Sequence, residues 1–286
     1  MSGGASGYDL SLLVAQAGAN SMVYQDVAFP GRNICLHAAR PAEWSPSVPV
    51  VLVHHGVGRN GRDYRDYWLP HAEAFGLLVI SIEYPQEGFP EYLWYNFGNL
   101  HTAEGVVNPR SAWTFGVGPR LFEALLAQNI TSVDRYGVFG HSAGGQYVHR
   151  MLSFGYRDRV AVAVSANAGT YAMPDLGIDW PWGLGATEFQ AEHLSEWLRF
   201  PLTIMAGTED TKTTGRFFPK GPKSMLQGPH RYGRARNYWR IGEAAARQAG
   251  CGFAWEVIDV PGVGHDGARM SDAAAPIIAE RLRSGC

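Results

Sequence analysis

Tyr136-Gly137-Val138-Phe139-Gly140-His141-Ser142-Ala143-Gly144 is the stretch that decides how this chain is read. Its first four residues form an apolar run that predicts a strand. Residues 145–154 follow with a pattern that can open a helix. Ser142 therefore falls on a sharp strand-to-helix turn, with its backbone driven toward positive φ and its hydroxyl turned out of the fold. Glycines flank it because Cβ atoms there would collide with the neighbouring strand and helix. In a chain with 35 glycines the five-residue pattern alone carries limited weight. Its position between strand and helix makes it informative.

Outward from this turn, strands and helices alternate. Residues 22–27 and 33–39 predict an antiparallel pair joined by a turn at Pro30-Gly31. Residues 48–54 are continuously apolar, as in a strand covered on both faces, and 77–82 repeat the pattern. Further strands are expected at 160–165, 202–205 and 253–260. Helical spacing marks 67–75, 113–128 (Val117, Leu121, Leu125), 236–248 and 271–283. The expected architecture is α/β, a mostly parallel central sheet with helices on both faces. No repeat or low-complexity linker divides the 286 residues, so one domain is expected. Two stretches, 83–109 and 169–200, break the alternation. Both are rich in aromatic residues, glycine and proline, and both leave the carboxyl ends of strands, where cap-like loops shape binding sites.

Composition narrows the classes of function. With 46% apolar and 17% charged residues the chain can bury a large core, which argues against disorder. A net charge of −2 and the lack of a basic block point away from nucleic acid or an anionic membrane as partner. No apolar stretch is long enough for a bilayer span. Met1 to Gly7 show no basic segment followed by an apolar core, so no secretory signal is read and a cytoplasmic protein is expected. Cys35, Cys251 and Cys286 are odd in number and widely spaced, a pattern of reduced thiols. No metal-ligand spacing, dinucleotide fingerprint or Walker loop occurs, so no metal and no cofactor are expected.

A serine hydroxyl needs a base within hydrogen-bond reach, and that base needs a carboxylate to hold its tautomer. On such a sheet the partners follow Ser in the order carboxylate, then His, each in a loop after a later strand. The strand at 202–205 runs into Gly207-Thr208-Glu209-Asp210, which offers two carboxylates. The last strand runs into Gly262-Val263-Gly264-His265-Asp266. With these addresses filled, the chain resembles the α/β-hydrolase superfamily, and the resemblance covers nearly its whole length. It implies the α/β-hydrolase fold, a Ser142–His265–Asp210 catalytic triad, and Asp210 over Glu209 as the acid, because the family's acid commonly ends a Gly-x-x-Asp turn. Asp266 is expected to cap the last helix. An oxyanion hole is expected from the backbone N–H of Ala143 and, since His55-Gly56 matches the family's His-Gly motif, from that of Val57. His54 and His55 are read as structural histidines bracing that loop.

Segments 95–99, 140–146 and 227–231 are similar to a bacterial subgroup of polyhydroxybutyrate-depolymerase-like esterases. The function expected is hydrolysis of a small or oligomeric carboxylic ester through an acyl-enzyme. An amidase or peptidase with the same triad is the alternative, and a non-catalytic binding protein on this fold is a third reading. Among the aromatics of the two irregular stretches, Tyr171 and Trp94 are the expected substrate-binding residues. A basic run follows the acid, from Lys212 through Arg216, Lys220 and Lys223 to Arg231; it reads as exposed loop charge, with binding of an acidic substrate group as the lesser alternative.

Overall fold

A computed structural model describes residues 8–284; the N-terminal heptapeptide and Cys286 lie outside the described residues. Eight strands form one sheet in the order β1-β2-β4-β3-β5-β6-β7-β8. They are β1 (Gly18–Tyr24), β2 (Ile34–Arg40), β3 (Val50–His54), β4 (Leu78–Glu83), β5 (Tyr136–His141), β6 (Val160–Ala166), β7 (Thr203–Gly207) and β8 (Glu256–Val260). The β1–β2 and β2–β4 pairings are antiparallel and the other five are parallel. Eight α-helices lie among the described residues: α1 (Gly61–Phe75), α2 (Glu91–Trp94), α3 (Val117–Ala127), α4 (Ala143–Ser153), α5 (Ala191–Arg199), α6 (Pro222–Met225), α7 (Arg231–Ala249) and α8 (Gly267–Ser284).

The central strands sort their side chains by parity, which is why they read as continuous apolar runs. In β3, Val50 and Leu52 join a core built with α3, α4, α5 and α7. Val51 and Val53 join the opposite core, built with Trp68 of α1 and Met270, Ala274 and Ile278 of α8. Both cores consist of buried apolar side chains, so each layer of helices is held by its own apolar stripe.

Helix limits differ from the sequence reading where capping, not periodicity, sets them. α7 starts at Arg231, five residues before the expected 236, because the His230 ring accepts a hydrogen bond from the Gly233 N–H. α8 starts at Gly267, where the Asp266 carboxylate accepts from the N–H groups of Ala268 and Arg269, so Asp266 caps the helix as expected. The second irregular stretch ends in α5, opened by a reciprocal Gln190–His193 cap that the sequence reading did not place. The two stretches meet: the rings of Phe97 and Trp180 lie 6.2 Å apart, and the His101 ring lies 3.0 Å from Ala186 O. Among the described residues, no helix is long and apolar enough to cross a membrane.

Candidate active site

Ser142 has φ 59° and ψ −113°, a conformation rarely adopted by a residue with a side chain. The surroundings impose it. Its N–H donates to Ala166 O of β6 at 2.9 Å, while α4 starts at once at Ala143. The turn closes only without side chains at its flanks. A Cβ on Gly140 would fall on the Gly144 carbonyl, and one on Gly144 would fall on the carbonyl of His54 in β3. The apolar strand, the two glycines and the helix therefore act together to lift the serine side chain off the sheet.

The structure brings Ser142, His265 and Asp210 together. His265 Nε2 lies 2.9 Å from Ser142 Oγ, and His265 Nδ1 lies 2.7 Å from Asp210 Oδ2. An ionised carboxylate only accepts, so Nδ1 carries the proton and Nε2 is left to accept from the serine hydroxyl. Asp210 is 1% exposed, whereas Glu209 points into solvent, so burial decides between the two adjacent carboxylates. The Asp210 and His265 loops are tied to each other: Thr208 N–H donates to Val260 O, and Glu209 N–H to Val263 O.

Asn167, at the end of β6 with φ 44°, bridges these two loops. Its side-chain oxygen accepts from the Gly207 N–H at 2.8 Å, and its amide donates to Gly264 O at 2.9 Å. Sequence reasoning missed this residue. The signal available was an asparagine directly after a buried strand, where left-handed backbone is tolerated. His141, fully buried beside His265 at 4.8 Å between ring centres, was also passed over. Burial, then the neighbouring His265 and Arg231, hold its pKa well below the usual histidine value, so it stays neutral and sits against the Tyr64 hydroxyl at 2.6 Å.

The loop after β3 is held rigidly. His55 Nδ1–H donates to Gly56 O, His55 Nε2 accepts from the Tyr84 N–H, and the Tyr95 hydroxyl donates to His55 O at 2.6 Å. Burial lowers the His55 pKa to about 4 and that of His54, stacked on Tyr147, to about 3. Both act as neutral braces, as expected. Arg59 donates to the carbonyls of Tyr84, Phe89 and Glu91, fastening this loop to the first aromatic stretch. Neither the Val57 N–H nor the Ala143 N–H is used by a protein acceptor among the described residues, and both residues line the cavity that Ser142 opens into.

That cavity has a volume of about 290 Å³. Its apolar wall comes from Tyr92 and Phe97 of the first stretch, Trp182 of the second, and Phe217. Tyr171 and Trp94, the expected substrate-binding residues, are not part of it. Tyr171 is fully buried, stacked on Tyr238 at 4.4 Å. Its backbone is clamped by the Gln227 side chain. Trp94 turns the other way, packing against Phe29 and Phe89 under the Arg32 guanidinium. The aromatic stretches do reach the site, but through different rings: one-dimensional proximity does not say which side of a short helix faces inward. The described residues contain no cluster of three or more His, Cys, Asp or Glu side chains able to hold a metal.

An eight-stranded, mostly parallel sheet with a strained Ser between β5 and α4, an acid after β7 and a His after β8 is the α/β-hydrolase arrangement, and the chain belongs to that superfamily of hydrolases. It is 37% identical to the poly(3-hydroxybutyrate) depolymerase LpqC from Bordetella parapertussis, over 97% of each chain, with a TM-score of 0.89. With poly(aspartic acid) hydrolase-1 from Sphingomonas sp. KT-1 it shares 34% identity, over 92% of this chain and 99% of that one, with a TM-score of 0.88. An S-formylglutathione hydrolase from Agrobacterium tumefaciens, at 19% identity and a TM-score of 0.61, covering 92% of this chain and 95% of its own, shares the fold. No protein-family model and no curated protein sequence matches the chain.

Proposed function

We propose that this protein hydrolyses a carboxylic ester of a small or oligomeric substrate through an acyl-enzyme intermediate, with Ser142 as nucleophile. The observation that carries the reading is the unbroken hydrogen-bonded line from Ser142 Oγ through the His265 ring to Asp210, with links of 2.9 and 2.7 Å. Ser142 attacks the carbonyl carbon while His265 Nε2 takes its proton. Asp210 holds the imidazole in the productive tautomer and stabilises the imidazolium that forms. The N–H groups of Val57 and Ala143 receive the oxyanion, and each such donor is worth roughly 3 kcal/mol of barrier. His265 then protonates the departing alcohol. A water, deprotonated by the same nitrogen, attacks the acyl carbon and frees Ser142.

The whole chain acts as one catalytic domain, with segments 83–109 and 169–200 as its cap. The free thiols Cys35 and Cys251 suit a reducing compartment, the cytoplasm. The similarity to a poly(3-hydroxybutyrate) depolymerase favours an ester. One observation favours an amide instead: the similarity to a poly(aspartic acid) hydrolase, whose polymer is amide-linked.

A fluorophosphonate probe tests the nucleophile: wild type should be labelled at Ser142, and the folded Ser142→Ala variant should be neither labelled nor active. Matched p-nitrophenyl esters and p-nitroanilides test the bond. Faster turnover of the anilides would overturn the ester reading, and an unlabelled, folded wild type would overturn the hydrolase mechanism.

A further inference from the structure

The cavity beside Ser142 has one guanidinium in its lining, Arg231, which shares the Asp210 carboxylate, and two behind its wall, Arg150 and Arg234, that meet no carboxylate among the described residues. Arg231, 6% exposed, is the sole charged residue of its lining among the described residues, and none of the lining residues is acidic. Its guanidinium lies 3.6 Å from Asp210 Oδ1 and donates to Phe217 O. Asp210 is already engaged by His265 on its other oxygen, so one carboxylate serves both groups.

Behind the wall sit two more guanidiniums, both fully buried. Arg150 follows Ser142 and Gln146 on the same face of α4. It donates to Asn96 O, Gln146 Oε1, Thr170 Oγ1 and Pro181 O, all neutral acceptors. Arg234, one turn after Arg231 on α7, donates to the carbonyls of Gly169, Pro219 and Gly228. Asn96, Gln146, Thr170, Gly169 and Pro219 themselves line the cavity, so each guanidinium is one residue removed from it. Burial lowers the two to about 9 and about 10, which leaves both charged at neutral pH. Lys223, exposed, lies over the face of the lining residue Trp182 with its ammonium 5.0 Å from the ring centre.

Gln146 gives this field a contact point. Its side-chain oxygen accepts from Asn96 Nδ2 at 3.2 Å and from Arg150 at 2.9 Å, with the Thr170 hydroxyl also 2.9 Å away. The donors from Asn96 and Arg150 fix which end of the amide is oxygen. The NH2 end makes no hydrogen bond within the protein and is not sealed from solvent, so it is a donor presented to the cavity. Burying a guanidinium without a counter-ion is costly, and a cavity with low-dielectric walls focuses the resulting potential onto whatever fills it.

We propose that the substrate of this site carries a free carboxylate, held by Arg231 and the Gln146 amide in the positive field of Arg150 and Arg234. The substrate class is an ester of a carboxylate-bearing acid or alcohol, such as a short hydroxyacid oligomer with its acid end free. This deepens the hydrolase reading and rests on it. The basic run after the acid, for which the sequence offers substrate-acid binding as the lesser of two readings, supplies both Arg231 and Lys223.

The test compares two matched pairs on the wild-type protein. Mono-p-nitrophenyl adipate against its methyl ester places the charge on the acyl side. 4-Acetoxybenzoate against methyl 4-acetoxybenzoate places it on the alcohol side. Each kcat/KM is divided by the ester's own alkaline hydrolysis rate. The expected result is a preference for the acid of about tenfold or more in at least one pair, shrinking as salt is raised. In Arg231→Met the ratio within that pair should fall at least about threefold, whatever happens to the absolute rate, because the neutral partner reports damage to Asp210. Equal or faster turnover of the neutral ester in both pairs, with Ser142 still labelled by a fluorophosphonate, would overturn the carboxylate proposal and leave the hydrolase mechanism standing. A preference insensitive to salt and to Arg231→Met would overturn the electrostatic account. Neither label nor turnover of any ester would overturn both.

Discussion

Replacing Asp210 with asparagine changes one atom of a buried side chain, and the structure says which way the new amide must turn. Asp210 Oδ2 accepts from His265 Nδ1, while Oδ1 faces Arg231 at 3.6 Å. An asparagine can offer its oxygen to only one of them. If the oxygen faces His265, the NH2 group faces a guanidinium, donor against donor. The reverse orientation satisfies Arg231 but presents NH2 to Nδ1, which must then be the acceptor. The ring proton moves to Nε2, and Nε2 can no longer take the Ser142 proton. Arg231 thus selects the inactive tautomer. The expected loss in kcat is about four orders of magnitude, which at about 1.36 kcal/mol per decade is ~5.4 kcal/mol of barrier. Removing Arg231 as well frees the amide to turn. A guanidinium contact at 3.6 Å is longer than a hydrogen bond and is worth about 1 kcal/mol, so Asp210→Asn/Arg231→Met should recover about fivefold over Asp210→Asn alone. The assay is steady-state hydrolysis of a neutral p-nitrophenyl ester, with near-UV circular dichroism to show that each variant is folded. A folded Asp210→Asn enzyme retaining more than a tenth of wild-type kcat would refute the role of Asp210. A double variant no faster than the single would refute the selection by Arg231.

Two further outcomes follow from backbone strain and from buried histidines. Ser142→Ala keeps the strained φ of 59° while Ser142→Gly relieves it, so the glycine variant should be more stable by about 1 kcal/mol in urea denaturation, and equal stabilities would argue against strain at the turn. His54, His55, His141 and His149 are buried with pKa values lowered mainly by burial, so the unfolded chain binds more protons than the folded one below the unfolded value of about 6.5. The stability they contribute is complete above that pH and falls below it by about 1.4 kcal/mol per pH unit for each histidine, or ~4 kcal/mol between pH 6.5 and 5 for His54 and His55 together. Thermal melts should show a Tm dropping steeply over this interval, and a flat Tm would mean these rings are charged in the fold.

Much of this protein is written in short-range pattern. Apolar runs at β3, β4 and β5 are legible because a strand covered on both faces has no polar side to show. Gly140-His141-Ser142-Ala143-Gly144 is legible because close approach of strand and helix permits no side chain at its flanks. The order of Ser142, Asp210 and His265 follows from the topology of a parallel sheet, whose strand ends all open on one edge. What the sequence could not give is direction. Tyr171 and Trp94 carry the right chemistry for a pocket, yet one is sealed in the core and the other faces Arg32, while Tyr92, Phe97 and Trp182 reach the cavity. Asn167, His141 and Gln146 acquire their parts largely from partners 24 to 124 residues away in the chain. The sequence determined the sheet, the turn and the residues that can react, because those depend on local sterics and periodicity. Only the tertiary structure decided which rings line the cavity, which carboxylate is buried, and where three arginines concentrate their charge, because these depend on which surfaces long-range packing turns inward.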